Sequence, residues 1–180
     1  MLGDELMSIR MDSFRGFTLI ELMVIVIVLA VTLSLAVPAV QEMIKNNRVT
    51  GQTNEMLALV AFARNEAIRR NDSVTLRVES VDGGWNAEVQ DPLGEGADPC
   101  TAQGALRCAN HNRVDLLMPD GDAMDIVFNN RGYLDPFDDV FLAMEHVDCG
   151  TNQFQRRLIR LRPTGQVESC RAACGSDDCE

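Results

Sequence analysis

The chain has 180 residues, enough for one compact domain with an appended segment, and its mix of apolar and charged residues excludes a disordered chain. A formal net charge of -11 sets most of its surface against DNA and anionic lipid headgroups, while leaving room for a local basic patch. All six cysteines (Cys100, Cys108, Cys149, Cys170, Cys174 and Cys179) fall in the C-terminal part, the usage of a domain that oxidises outside the cytoplasm. Residues 1–16 carry mixed charges, with Arg10 and Arg15 nearest the stretch that follows.

Residues 17–40, FTLIELMVIVIVLAVTLSLAVPAV, contain a single ionisable residue, Glu21. As a helix this run is about 36 Å long, enough to cross a bilayer core. Arg10 and Arg15 predict a cytoplasmic N-terminus, although Lys45 and Arg48 on the far side weaken that bias. An ordinary signal peptide is one reading, since Ser34-Leu35-Ala36 has the small-x-small pattern of a leader peptidase site and cleavage there leaves Val37 first. A plain single-span anchor is another. Neither gives Glu21 a role, and a carboxylate inside an apolar helix costs up to about 2.5–3.5 kcal/mol and asks for a partner.

Arg15-Gly16-Phe17-Thr18-Leu19-Ile20-Glu21 resembles the processing and assembly motif of type IV pilins and type II secretion pseudopilins. The resemblance implies a leader over residues 1–16, cut by a membrane aspartic prepilin peptidase between Gly16 and Phe17 on the cytoplasmic face. It also implies N-methylation of Phe17 and retention of the apolar helix, with Glu21 as fifth residue of the mature chain. The residues suit those roles. Gly16 has no Cβ to hold a peptidase away. Cleavage frees a Phe17 α-amine of pKa about 7.7–8.0, which can pair with Glu21 of a neighbouring subunit and fix the axial register of two helices. Initiation at Met1, Met7 or Met11 gives leaders of different length, the last being MDSFRG.

Beyond residue 40 the run turns amphipathic. Val40, Met43, Ile44, Met56, Leu57, Val60, Ala63, Ala67 and Ile68 recur at helical spacing, with Arg64, Glu66, Arg69 and Arg70 read as solvated positions. Arg64, Arg69 and Arg70 read as a wetted face in preference to a DNA contact. Pro38 is expected to kink or open the helix by removing a donor, and Asn46, Asn47, Thr50 and Gly51 mark a second soft point. The helix is expected over residues 17–72, its transmembrane part about 17–40.

Residues 73–180 read as a β-rich globular domain. Val74, Leu76 and Val78 alternate with polar residues, Asp82-Gly83-Gly84 turns, and 85–90 is the next strand. Residues 91–112 are rich in Gly, Pro, Asp and Cys and read as a long loop. Further strands are expected at 114–118, 124–128, 140–146, 154–162 and 166–169, separated by turn signals at Asn129-Asn130-Arg131-Gly132 and Pro163-Thr164-Gly165. The fold class is α+β: a long apolar-then-amphipathic helix packed on a C-terminal antiparallel β-sandwich or pair of sheets. Phe62-Ala63-Arg64-Asn65-Glu66-Ala67-Ile68, Gly83-Gly84-Trp85, the Asn-Asn-Arg-Gly turn and Pro163-Thr164-Gly165-Gln166-Val167 resemble the GspH/FimT (FimU-like) subgroup. The insert 92–112 and the tail beyond Cys170 depart from its pattern.

Cys170-x3-Cys174-x4-Cys179 beside Asp177 and Asp178 lacks standard zinc spacing, so disulfides are expected. Six cysteines allow fifteen pairings; the expected set is Cys100–Cys108, Cys149–Cys170 and Cys174–Cys179. Asp135, Asp138 and Asp139 read as a solvated turn, because no EF-hand loop surrounds them. No nucleophile elbow, phosphate-binding glycine loop or His-x-x-x-His occurs, and His111 and His146 have no evident catalytic partner, so neither an enzyme, a metal nor a cofactor is expected. Arg156, Arg160 and Arg162 share one face of a strand on alternation, either solvated or a short DNA-contacting patch.

The function implied by the resemblance is a minor pilin that primes assembly of a type IV pilus or sits near its tip. Alternatives are a minor pseudopilin of type II secretion, a DNA-binding minor pilin for natural transformation, and an exported soluble domain. The implied partners are the prepilin peptidase/N-methyltransferase, other pilins or pseudopilins through the helix, and the bacterial inner membrane. The implied location is single-pass with the C-terminal domain periplasmic, and then the filament.

Overall fold

The computed structural model describes residues 17–92, 105–150 and 153–179. Helix α1 runs from Leu19 to Arg70, followed by eight strands: β1 Val74–Val81, β2 Gly84–Gln90, β3 Ala105–Asn112, β4 Val114–Leu117, β5 Ala123–Phe128, β6 Val140–His146, β7 Arg156–Leu161 and β8 Val167–Ala172. The strands form two four-stranded sheets of order β3-β2-β1-β5 and β4-β6-β7-β8, antiparallel throughout. The chain divides into two compact units, residues 1–41 and residues 42–180.

The described part of the first unit is the apolar half of α1. The Thr18 hydroxyl accepts the Glu21 backbone N–H at 3.3 Å, satisfying one of the orphan donors of the first turn. Among the described residues nothing covers the large side chains of this half: Leu19, Leu22, Val26, Leu29 and Leu33 all stand exposed. Apolar surface on every side of a helix requires lipid or other helices around it. Helix α1 runs without a break through Pro38 and Asn46–Gly51, the two points where a kink or opening is expected. Pro38 removes one backbone bond in a long ladder whose neighbouring turns stay paired, and the second point is held by tertiary contacts such as the Arg157–Thr50 hydroxyl bond at 3.2 Å.

In the second unit the rest of α1 lies on the sheets. Val49, Met56, Leu59, Val60, Ala63 and Ala67 are buried, a stripe at spacings of three, four and seven residues, and the small Ala63 and Ala67 let the strands come close. The stripe differs from the expected one: Val40, Met43, Ile44 and Ile68 stand exposed, while Val49, Gln52, Thr53 and Leu59 go inside. Opposite it, alternate residues of the strands point inward, with Val74, Leu76 and Val78 of β1, Ile126 and Phe128 of β5 and Ile159 and Leu161 of β7 all buried. Trp85 is fully buried, and its indole N–H donates to Gln52 Oε1 at 2.9 Å; the Gln52 amide in turn donates to the Asn112 carbonyl at 3.0 Å. One helix glutamine thus satisfies the tryptophan and the end of β3.

Helix α1 ends at Arg70, and the next residue, Asn71, has a φ of 55°, the left-handed conformation that terminates a helix. The Asp72 N–H reaches back to the Ala67 carbonyl at 3.2 Å and closes the last turn. Part of the segment read as a loop over 91–112 is strand β3, paired with β2 from Gly84↔Asn112 to Gln90↔Ala105. Its sequence, ALRCANHN, has no β-branched residue and little alternation, so the partner strand supplies what local preference does not.

Candidate assembly helix and its supporting cluster

The candidate assembly element is the N-terminal half of α1, with Phe17 at its head and Glu21 in its first turn. Phe17 is exposed, and Glu21 is the one carboxylate between residues 17 and 41. Gly16 and the leader lie outside the described residues. The span 19–70 contains a window apolar and long enough to cross a membrane, none of it buried within the protein.

In the second unit Arg64, expected to be solvated, is a structural hub. Its Nε donates to the Gly132 carbonyl and its Nη1 to the Gly165 carbonyl, both at 3.1 Å. The two turn motifs, 68 and 101 residues away along the chain, therefore close on one helix arginine. Both glycines have φ of 76° and sit too close to α1 for a side chain. Glu66 is likewise not solvated. It is buried and receives bonds from Arg69 at 2.6 Å and Arg70 at 2.9 Å, and Arg70 also bonds Asp91 at 2.9 Å. The Arg69 hydrogen bond, assisted by Arg70, holds the Glu66 carboxyl below its ordinary range against the opposing effect of burial.

The suspected DNA patch is not a cluster of free cations. Arg156 is buried and bonds Glu145 at 2.9 Å and Asp177 at 2.6 Å; Arg160 pairs with Asp139 and lies over the Phe141 ring; Arg162 pairs with Glu168 at 2.7 Å. Each guanidinium has its carboxylate, so little positive charge remains to release counterions from a phosphate backbone. Asp139 of the acidic turn is spent on Arg160 in the same way.

The disulfides correct two expected pairs. Cys149 bonds Cys174 and Cys170 bonds Cys179, with Cα atoms 5.8 and 5.6 Å apart, in place of Cys149–Cys170 and Cys174–Cys179. The reason lies in the path of the tail: the Cys174 N–H donates to the Gln153 carbonyl at 2.8 Å, which draws Cys174 to the turn that bears Cys149. Cys108 is disulfide-bonded; Cys100, its expected partner, lies outside the described residues.

The two histidines sit in different surroundings. His111 packs on Trp85, ring centroids 5.0 Å apart, with Nε2 2.7 Å from a Glu55 oxygen but outside hydrogen-bond geometry. His146 is buried; its Nδ1 accepts the Asp148 N–H at 3.1 Å, and its Nε2 has no hydrogen-bond partner among the described residues. Burial lowers the His146 pKa, and Lys45, Arg48 and Arg113 add to that while Asp148 opposes it. The unfolded chain therefore takes up this proton more readily than the folded one. The stabilisation is whole above the ordinary value of about 6.5 and declines as pH falls below it. Melting temperatures taken from about pH 7.5 down to about pH 5 should fall more steeply in the parent than in His146→Gln. Parallel curves would remove His146 from the account.

Comparison with known proteins agrees with this arrangement. Residues 52–165 match the family described as type II transport protein GspH, and residues 11–37 match the prokaryotic N-terminal methylation motif. No curated protein matches the chain in sequence. Two crystal forms of the type IV minor pilin FimU of Pseudomonas aeruginosa share the fold. One has a TM-score of 0.51 at 15% identity, covering 68% of this chain and 87% of that one; the other has 0.50 at 14%, covering 67% and 90%. The helix, the two sheets and the turns gathered on Arg64 all fall within or overlap the matched span, and the exposed apolar helix carries the methylation motif, so the chain belongs to the GspH family of pilin-like and pseudopilin-like structural subunits, which are not enzymes.

Proposed function

We propose that the chain is a minor subunit of a type IV pilus, priming assembly or sitting near the tip. The observation that carries this reading is the first half of α1, apolar on every side, with a single carboxylate, Glu21, in its first turn. Residues 1–16 form the leader, a prepilin peptidase cuts between Gly16 and Phe17, and Phe17 is N-methylated. Residues 17–40 anchor the subunit in the inner membrane with the N-terminus cytoplasmic and the head periplasmic. The Phe17 amine of one subunit then pairs with Glu21 of the next, offsetting the cost of burying either charge alone. The likeness to a minor pilin of known fold supports the pilus; the family's description favours a second reading, a minor pseudopilin of type II secretion with the same chemistry.

Mass spectrometry of the mature N-terminus tests processing: N-methyl-Phe17 is expected, and a start at Val37 would sink the proposal. Gly16→Ala should slow or reduce cleavage. Glu21→Ala should be cleaved normally yet fail to enter filaments, and normal incorporation would contradict the charge pair. Deleting the gene and scoring surface pili against secreted enzymes separates the two machines.

A further inference from the structure

The two disulfides at the end of the head are interlaced along the chain. Cys149 bonds Cys174 at a sequence separation of 25, and Cys170, inside that loop, bonds Cys179, outside it, at a separation of 9. Four cysteines allow three pairings. Each of the other two contains a shorter loop, Cys170–Cys174 at a separation of 4 or Cys174–Cys179 at a separation of 5. Closure grows harder as a loop lengthens, so an unfolded tail makes these wrong bridges more readily than either native one. Order of export acts in the same direction, because Cys170 reaches the oxidising side ahead of Cys174 and can take Cys149 first.

Only the finished sheet selects the native set. Strand β8 holds Cys170 opposite Leu158, whereas Cys174 lies two residues past the end of β8 at Ala172. There the Cys174 N–H donates to the Gln153 carbonyl at 2.8 Å, beside the turn in which the Cys149 N–H donates to the His146 carbonyl at 2.8 Å. Asp177 accepts from Arg156 of β7 at 2.6 Å and keeps the tail beside the sheet, so that Cys179 returns to Cys170. Each of these contacts needs β7 and β8 already paired. A bridge made before that pairing is a trap. Exchange needs an attacking thiolate, and once the four cysteines are bonded they hold none; among the described residues no cysteine is free.

We infer that the head is a client of a thiol–disulfide isomerase, a protein whose own thiolate reopens wrong bridges among Cys149, Cys170, Cys174 and Cys179. The inference rests on the export of the head proposed above. The bonds balance. A more oxidising disulfide first takes two electrons from each thiol pair, and two protons leave. From Cys149–Cys170 and Cys174–Cys179, the isomerase thiolate attacks Cys179, forming a mixed disulfide and freeing the Cys174 thiolate. Cys174 attacks Cys149 and frees Cys170. Cys170 then attacks Cys179 and returns the isomerase thiolate. Each exchange breaks one S–S bond and makes one, so no further oxidant is consumed.

The test expresses the full chain in two bacterial strains, one with its periplasmic thiol–disulfide isomerase and one without, both keeping the enzyme that makes disulfides. Free thiols are blocked by alkylation and the bridges are mapped by mass spectrometry of unreduced peptides. The yield of the native pairs should fall at least about threefold in the strain without isomerase, with Cys174–Cys179 or Cys170–Cys174 in their place. The double variant Cys170→Ser, Cys179→Ser leaves Cys149 and Cys174 without a rival among the four, so their bridge should form equally in both strains. Native pairs at equal yield in both strains, wrong pairs in both, or a double variant as dependent on the isomerase as the parent would overturn the inference. Six free thiols in both strains would sink the export reading and this inference with it.

Discussion

Gly165→Ala should destabilise the head by about 3 kcal/mol, from a left-handed cost of roughly 1–2 and an overpacking cost of roughly 1–3. Gly165 has φ of 76°, and a Cβ there would overlap the Gly132 carbonyl oxygen and stand 2.8 Å from Arg64 Nε. Both neighbours are fixed, because Arg64 is bound to the two turns at once. Gly83→Ala separates the two costs: its φ is 68° but nothing lies within 4 Å, so only the backbone cost of about 1–2 kcal/mol should appear. Denaturant melts of the three chains check the order. In a double-mutant cycle, Arg64→Ala and Gly165→Ala should be less damaging together than their sum, since removing the guanidinium frees space for the new methyl. Strict additivity would mean that the arginine is not the obstacle.

Replacing Cys149 and Cys174 together by serine should cost about 3.5 kcal/mol, from the chain-entropy cost of closing a loop of this size. The sequence separation is 25 residues, against 9 for Cys170–Cys179, whose removal should cost about 2.5 kcal/mol on the same reasoning. The larger loss should also reach Arg156, because the tail beyond Cys174 carries Asp177 to it. Urea melts of the two double variants should rank in that order. If the Cys170–Cys179 variant were the weaker protein, the tail would be held by its end and not by its root.

Much of this architecture is legible in the residues. The apolar run and the lone Glu21 announce the exposed half of α1, and the alternation of Val74, Leu76 and Val78 announces β1 with its inward face. Strand β3 is not legible because Ala105 and Ala109, its buried positions, carry no strand preference of their own. Arg64 reads as a surface charge because exposure is the default for an arginine. Its two carbonyl acceptors come from turns that only the finished fold brings together. The start of the buried stripe is not legible, because Met43 and Ile44 continue the apolar composition of the run before them while standing exposed. The arginines of β7 alternate as a cationic face should, and only their cross-strand and tail carboxylates reveal that the charge is spent.

The clamp at the end of α1 also bears on how freely this lineage can vary. Arg70 grips Asp91, and Gln90 is paired with Ala105, so the chain is held on either side of residues 93–104. Doubling the length of such a connection adds only about 0.6 kcal/mol of closure cost. A change in the length of the connection between Asp91 and Ala105 should therefore cost the head far less than a change in either strand that it joins.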